Sequence, residues 1–414
     1  MPNDTYYTAI DMGTTKMCTI IARVGPEGEL KVLGTGIVPS QGMHKGRVEN
    51  IPETQEAVRS SLDEAQKYLG RPITWAYLGV TGNHISCVNT TGLINSSGRD
   101  NSISTRDVEH LIRSSCSPVS RGKEILHVIP MSYAVDGLRG VRNPIGLHAD
   151  RLQLESHVVL GDGPILRNLV KAVEGCKVSV RSLVLQQIAA AEAALTEDER
   201  EVGVVLVDIG GGTTDVVFLK SGSPWYNAVI PVGGMQVTRD LSVAAGLPFY
   251  AAEELKIRYG HANPEAIPAD EEVQIPGYQG EPKRMVYRRA LCQPIYERMT
   301  EILKMVLSHV KEAGLRQIPP GGIVLVGGTA ELPGLADLVA RATGSPTRIG
   351  YPDGIMGLPA DLRKPGFATS VGTLIWGIKH QGQSHPVISS GDWAFGKQKS
   401  WFGKFRRKPE EVAA

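Results

Sequence analysis

One pattern occurs twice in this 414-residue chain, about 200 residues apart, and it constrains the fold more than any other feature. Residues 7–24 (YTAIDMGTTKMCTIIARV) and 204–221 (VVLVDIGGGTTDVVFLKS) share one layout: apolar strand, Asp, glycine turn, paired threonines, second apolar strand. In the first copy Ile10 leads into Asp11, Gly13, Thr14, Thr15 and Lys16, before a strand over 17–24. In the second, the strand 204–207 leads into Asp208, Gly210, Gly211, Gly212, Thr213 and Thr214. Each copy predicts a β-hairpin with a glycine-rich tip, and the duplication predicts two similar α/β lobes. The length agrees, because a chain of this size exceeds one ordinary core and divides into two to four.

The tips carry chemistry. Glycine admits positive φ and lets successive backbone N–H groups converge on an anion, and threonine hydroxyls add donors. An Asp ending a hydrophobic strand is not there for packing, but two such carboxylates, Asp11 and Asp208, can hold the water shell of Mg²⁺ beside a triphosphate. One glycine turn alone is more often an ordinary tight hairpin. Two copies facing each other from similar lobes would clamp one phosphate chain between them. A third turn supports this: the strand 323–326 runs into Gly327, Gly328 and Thr329 and then a helix over 335–341, an arrangement that can lie beneath a purine. No GxxxxGK[ST] motif occurs, and Gly34-Thr35-Gly36, a GxG in a strand context, lacks a third glycine and an opening helix, so P-loop and Rossmann sites are excluded.

Phosphate hairpin, connecting helix, second phosphate hairpin and adenosine turn, in that order over residues 5–380, resemble the superfamily of actin, sugar kinases and heat-shock chaperones. The resemblance implies ATP as the nucleotide and Mg²⁺ as its metal. Residues 185–191 (LQQIAAA) are similar to the superfamily's connecting helix, where an early acidic or Gln residue positions the attacking water. Gln186 matches that position. An amide lacks general-base strength, so at most a weak ATPase is implied; helix capping is the other reading of Gln186. Glu253 and Lys256, three apart on a helix expected over 251–259, match the acid and lysine beside the nucleoside, with a solvated ion pair as the alternative. Gly233 and Gly234, after a strand over 229–232, resemble the loop that approaches the nucleotide from the second lobe.

A net charge of +1 excludes nucleic-acid binding by a global basic field. Five scattered cysteines (Cys18, Cys87, Cys116, Cys176, Cys292) show neither metal spacing nor a disulfide framework. No basic leader precedes an apolar core, and no apolar run reaches the roughly 18 residues of a spanning helix, so a cytoplasmic chain is expected. The C-terminal composition departs from the rest. After a last folded helix expected over 367–379 and a polar linker over 381–391, the segment 392–414 holds three of the chain's 6 Phe and two of its 5 Trp. Trp393, Phe395, Trp401, Phe402 and Phe405 interleave there with Lys397, Lys399, Lys404, Arg406, Arg407 and Lys408. On a helical wheel Ala394, Trp401 and Phe405 cluster with Phe402 beside them, while Lys397, Lys404 and Lys408 take another face. That pattern describes a helix lying in the headgroup plane of an anionic membrane, each cation adding about 1 kcal/mol. A partner-binding peptide or a helix packed back on the body are the alternatives.

With this tail, and with an extra unit over 84–161 in the first lobe, the chain resembles the FtsA family of bacterial cell-division proteins within that superfamily. The resemblance implies an actin-like fold of duplicated βββαβαβα lobes. Lobe 1A takes 1–83, 162–200 and 364–380; an inserted subdomain, 1C, takes 84–161; lobe 2A takes 201–235 and 318–363; small subdomain 2B takes 236–317. It further implies protofilament self-assembly, capture of the FtsZ C-terminal tail on 2B, tethering of FtsZ at the inner face of the cell membrane at the division site, and recruitment of later division proteins. An acidic, apolar tail calls for a basic helix face. Arg288 and Arg298, on a helix expected over 288–310, are the candidates, against the reading of a merely solvated face. A small-molecule kinase or a pilus-assembly protein of the same fold remains the alternative.

Overall fold

The computed structural model describes residues 5–380 except 26–29, 68, 96–100, 116–120, 278–281, 354 and 356–357. Cys116, the linker expected over 381–391 and the aromatic-basic segment 392–414, with its membrane candidates Trp393, Phe395, Lys397, Trp401, Phe402, Lys404, Phe405, Arg406 and Arg407, lie outside the described residues.

The chain opens with β1 (Thr5–Met12), β2 (Lys16–Val24) and β3 (Leu30–Pro39), a short hairpin of β4 (Met43–His44) and β5 (Arg47–Val48), then α1 (Ile51–Gln66) and β6 (Trp75–Val80). An inserted run follows: β7 (Ser86–Asn95), α2 (Thr105–Ser114), β8 (Lys123–Val135), β9 (Leu138–Val141) and β10 (Arg151–Asp162). The first lobe resumes with α3 (Gly163–Glu174), β11 (Ser179–Leu185), α4 (Gln186–Ala194) and α5 (Glu197–Val202). The second repeats the plan with β12 (Val204–Ile209), β13 (Thr214–Lys220), β14 (Ser223–Ile230), α6 (Gly234–Ala245) and α7 (Phe249–Tyr259). After the hairpin β15 (Glu272–Ile275) and β16 (Arg284–Tyr287) come α8 (Arg288–Glu312), β17 (Ile323–Val326), α9 (Leu335–Thr343), β18 (Thr347–Ile349) and α10 (Ala368–Lys379).

The two large sheets have the same order: β3-β2-β1-β6-β11 in the first lobe and β14-β13-β12-β17-β18 in the second. In each, a three-stranded antiparallel meander is extended by two parallel strands, so the expected duplication is present strand for strand. Strands covered on both faces read as continuous apolar runs, as 204–209 does with every residue buried. Between the sheets cross α4 and α10. Ala189, Ala190 and Ala191 keep α4 slim, and Gly372 of α10 packs directly on the Ala189 carbonyl. Gly34 and Gly36, which carry no nucleotide signature, have a packing reason: a Cβ on either would overlap the backbone carbonyls of Ala65 and Ser61, so they let α1 lie flat on β3.

The inserted residues form a separate antiparallel sheet, β7-β10-β8-β9, whose core of Ile103, Leu111, Tyr133, Leu152 and Leu154 is covered by α2. That helix starts at Thr105. Ser104 and Asp107 close a reciprocal capping box, the Asp107 N–H donating to Ser104 Oγ and the Ser104 N–H to Asp107 Oδ2.

This sheet seats against β14 of the second lobe through His157, which is fully buried between Asn89 and Asn227. Burial pushes its pKa down to about 4. A neutral ring has one N–H, so Nδ1 donates to Asn89 Oδ1 at 2.7 Å while Nε2 accepts from the Asn227 amide turned end for end, which satisfies the otherwise unpartnered Nδ2. Asn89 passes the chain on, donating to the Trp225 carbonyl at 2.9 Å. A histidine held neutral contributes stability that is complete above its ordinary value near 6.5 and is lost as pH falls through 4, here about 3 kcal/mol. His157→Gln, neutral throughout, is therefore expected to lose less melting temperature between pH 7 and 4.5 than the unmodified chain; equal losses would show that this contact does not respond to acid.

Candidate functional site

The register of the two repeated hairpins fixes how their tips correspond. Asp11 pairs with Cys18 and Asp208 with Asp215, and each tip closes by the same bond, Gly13 N–H to Lys16 O at 3.0 Å and Gly210 N–H to Thr213 O at 2.9 Å. Lys16 thus stands where Thr213 stands, and Thr14 and Thr15 stand where Gly211 and Gly212 stand. The paired threonines of the two copies are not equivalent. The tips face each other, and a Cβ on Gly212 would sit 2.6 Å from Thr14 Oγ1, while one on Gly211 would meet the Thr15 side chain. The glycines of the second tip make room for the threonines of the first.

Between the tips lies a cavity of about 450 Å³. Asp11, Gly13, Thr14, Thr15, Lys16, Gln186, Asp208, Gly210, Gly211, Gly212, Thr213, Gly234, Glu253, Lys256, Gly327, Gly328 and Thr329 all line it. Two expected residues do not. Thr214 is already in β13, its hydroxyl donating to the Val232 carbonyl at 2.8 Å. Gly233 caps α6 behind the tip, where a Cβ would stand 2.6 Å from the Gly210 carbonyl. The strand expected over 229–232 ends at Ile230, and α6 begins immediately after Gly233. The α6 amides of Gly234 and Met235 donate to the Gly210 and Gly211 carbonyls, both at 2.8 Å, and pin the second tip.

Three carboxylates, not two, are buried here. Asp11 accepts Gln186 Nε2 at 2.8 Å and Ser370 Oγ at 2.6 Å; Asp208 accepts Thr369 Oγ1 at 2.7 Å; Asp215 accepts Thr81 Oγ1 at 2.7 Å from across the cleft. Burial raises the pKa of Asp11, pushes Asp208 up to about 6, and lifts Asp215 well above the usual carboxylate range, with Asp208 and Asp11 adding repulsion. Burial lowers the pKa of Lys16, whose ammonium donates to the Gly366 carbonyl and lies 3.4 Å from the centre of the Phe367 ring. Asp215 has a sequence signal, an acid inside an otherwise apolar strand; Thr81, Thr369 and Ser370 have none.

Gln186 does not cap a helix. Leu185 occupies the N-cap position of α4, and the Gln186 side chain points into the cleft at Asp11. The Glu253–Lys256 pair is solvated only at its acid, which is 37% exposed: the lysine side chain is 13% exposed and bonds Glu253 at 2.8 Å, Thr238 Oγ1 at 2.8 Å and the Gly234 carbonyl at 3.2 Å. Gly327, with φ of 89°, is required twice, by its backbone conformation and because any Cβ would overlap an Asp208 oxygen. On α8, Arg298 holds Asp240 at 2.6 and 3.1 Å and also pairs with Glu301, while Arg288 holds Glu271 at 2.8 Å and the Tyr259 carbonyl at 2.9 Å. Both cations are engaged within their own subdomain, so an acidic partner would have to displace those pairs.

Two lobes with one strand order, each presenting a glycine hairpin and a strand-end carboxylate to a shared cleft, define an actin-like protein. Solved structures agree on the fold. A PilM–PilN type IV pilus biogenesis complex matches with a TM-score of 0.65 at 15% identity, over 90% of this chain and 98% of that one. MreB5 of Spiroplasma citri bound to ADP matches with a TM-score of 0.51 at 13% identity, over 90% and 96%. Sequence comparison narrows this further. A model of the cell division protein FtsA matches residues 205–372, and one of the SHS2 domain inserted in FtsA matches 82–160, the run that contains β7 to β10 apart from its last residues. Cell division protein FtsA of Pseudomonas aeruginosa is 36% identical over 92% of this chain and 91% of its own, and that of Escherichia coli K12 is 34% identical over 95% and 97%. The chain belongs to the FtsA family of cell-division proteins.

Proposed function

We propose that this chain binds Mg-ATP between its lobes, assembles into an actin-like protofilament and, through segment 392–414, tethers FtsZ filaments to the cytoplasmic face of the cell membrane at the division site, where later division proteins join it. The observation that carries the nucleotide part is the convergence of both hairpin tips, Asp11, Asp208 and the Glu253–Lys256 pair on one cavity. Its residues fit the ligand: buried carboxylates with raised pKa values gain from a cation, and Gly327–Thr329 offers an open surface beside Glu253 and Lys256 for a nucleoside. Mg²⁺ held there through its water shell by Asp11 and Asp208, with Asp215 behind, would offset triphosphate charge. Among the described residues no three acidic, His or Cys side chains cluster closely enough to hold a bare ion, which favours a hydrated one.

Gln186 orients water through its carbonyl oxygen while its amide holds Asp11, and it supplies no base, so turnover is slow. The same feature weighs against a small-molecule kinase, which needs a carboxylate at the reacting hydroxyl and has no use for an aromatic-basic tail. Family membership supports the FtsZ and divisome roles, with the FtsZ tail placed on the 236–317 subdomain, where Lys304 is exposed on α8.

Co-sedimentation with anionic liposomes, with and without ATP and with FtsZ filaments present, tests the reading. The full chain is expected to pellet and to carry FtsZ with it, whereas the chain truncated after Gly391 stays in the supernatant. Identical behaviour of the two would remove the tail as anchor and leave a soluble actin-like ATP binder.

A further inference from the structure

Six consecutive residues, far from both hairpins in sequence, run through the centre of the cleft. The Pro365 carbonyl accepts the Gly327 amide at 3.0 Å, the Gly366 carbonyl and Phe367 ring hold Lys16, and the next turn opens α10 with two adjacent hydroxyls. Thr369 Oγ1 donates to Asp208 Oδ2 at 2.7 Å, and Ser370 Oγ donates to Asp11 Oδ2 at 2.6 Å. The two acids belong to different lobes and different sheets, yet their partners are neighbours on one helix turn. Thr369 is 7% exposed and Ser370 0%, so neither bond competes with bulk water.

We propose that Thr369 and Ser370 are positioning residues for the cation side of the nucleotide site, each fixing the rotamer of one strand-end carboxylate so that both lobes present their oxygens in register. The inference rests on the Mg-ATP reading above. A carboxylate rotates about its last bond in a broad, two-fold potential. A hydroxyl donated to one oxygen stops that rotation and leaves the remaining lone pairs for the water shell of the cation. For Asp11 the hold is double, because Gln186 grips Oδ1 while Ser370 grips Oδ2. For Asp208 the other oxygen abuts Gly327, where any side chain would collide with it, so Thr369 is the one side chain that donates to this acid among the described residues. Because Thr369 and Ser370 sit on one rigid turn, the carboxylates are placed relative to each other and not merely each within its own lobe.

The experiment is a Mg²⁺ titration of fluorescent-ATP binding to the full chain, read beside the ligand-free melting temperature. Thr369→Val is expected to raise the Mg²⁺ concentration for half-maximal binding about tenfold, the effect of losing one hydrogen bond to a charged group, and Ser370→Ala about fivefold, because Gln186 still holds the other oxygen of Asp11. Thr369→Ser restores the original half-point. Thr373→Val, which removes a hydroxyl donating only to the Thr369 carbonyl one turn on, leaves it unchanged. In an Asp208→Ala background, where no acceptor is left for the hydroxyl, Thr369→Val adds nothing further. If Thr369→Val does not fold, Ser370→Ala carries the test alone, since Asp11 keeps its bond from Gln186. Half-points within twofold of the unmodified chain in these variants overturn the inference while leaving Mg-ATP binding intact. Failure of the unmodified chain to bind Mg-ATP overturns both.

Discussion

Asp208→Asn is expected to make the ligand-free chain more stable at pH 7 by about 2–3 kcal/mol while weakening Mg²⁺-dependent ATP binding on the order of a hundredfold. The two effects have one source. Burial pushes the Asp208 pKa up to about 6 from an ordinary carboxylate value of 3.8. For an acid whose folded pKa is raised, the protonated form is the one the fold favours. Its contribution is fully present below about pH 4 and is lost as pH rises through 6. At pH 7 the ligand-free chain therefore holds an ionised carboxylate in a site that also contains Asp11 and Asp215, and Asn lifts that cost while still accepting from Thr369. The bound state reverses the balance, because the charge that destabilises the empty cleft is the charge that a hydrated cation needs. Melting curves from pH 4 to 8, with and without Mg-ATP, separate the two. The ligand-free gain should set in as pH rises above about 4, pass half its full size near pH 5 and level off above 6, and the stabilisation expected from Mg-ATP in the unmodified chain should be largely lost. A variant less stable than the parent at pH 7 would mean that Asp208 is structural in its ionised form and that the cleft is not built to receive a cation.

Much of this site was legible because it is local. Asp11 with Gly13–Thr15 and Asp208 with Gly210–Thr213 lie within single hairpins, where a short run of sequence determines both strand and tip. The Gly327–Thr329 turn and the Glu253–Lys256 pair were found for the same reason. What escaped depends on contacts across the chain. Thr369 and Ser370 reach acids 161 and 359 residues away, and nothing in their neighbourhood distinguishes them from any helix-opening hydroxyls. Asp215 stands out as an acid in an apolar strand, but a strand buried on both faces gives no alternation to show which way that acid points. The glycines show a subtler failure of local reading. Gly211 and Gly212 invite the phosphate explanation, yet in the structure their missing side chains are what the facing Thr15 and Thr14 require, and Gly34 and Gly36 serve α1. Matching by residue type pairs Thr14–Thr15 with Thr213–Thr214, whereas the hydrogen-bond register sets the second pair two places further along, and Thr214 already lies in β13 outside the cavity.

Gly372→Ala is expected to be among the most damaging single-methyl substitutions in the chain, costing at least about 3 kcal/mol and removing both soluble yield and nucleotide binding. A Cβ at this position would overlap the Ala189 carbonyl, and the next atoms it meets are the Ala189 carbonyl carbon and, at 3.1 Å, the Ala190 amide. All three are backbone atoms of α4, so no rotamer change relieves the overlap and the crossing of α10 on α4 must open instead. That crossing carries the site: α4 begins with Gln186 and the first turn of α10 holds Thr369 and Ser370, so widening it withdraws all three side-chain hydrogen bonds that the described residues donate to Asp11 and Asp208. It also lies between the two sheets, where Ala190, Ala191 and Ala194 of α4 pack against Val204, Leu206 and Val324 of the second lobe, so the lobes cannot close independently of it. Because the clash is with backbone, Ala189→Gly should not rescue Gly372→Ala, whereas a side-chain clash would be relieved by it. Urea unfolding and ATP binding of the single and double variants decide the matter. A well-folded Gly372→Ala chain with normal ATP binding would show that the two helices have freedom to move apart, and with it that the placement of Asp11 relative to Asp208 is not set by their crossing.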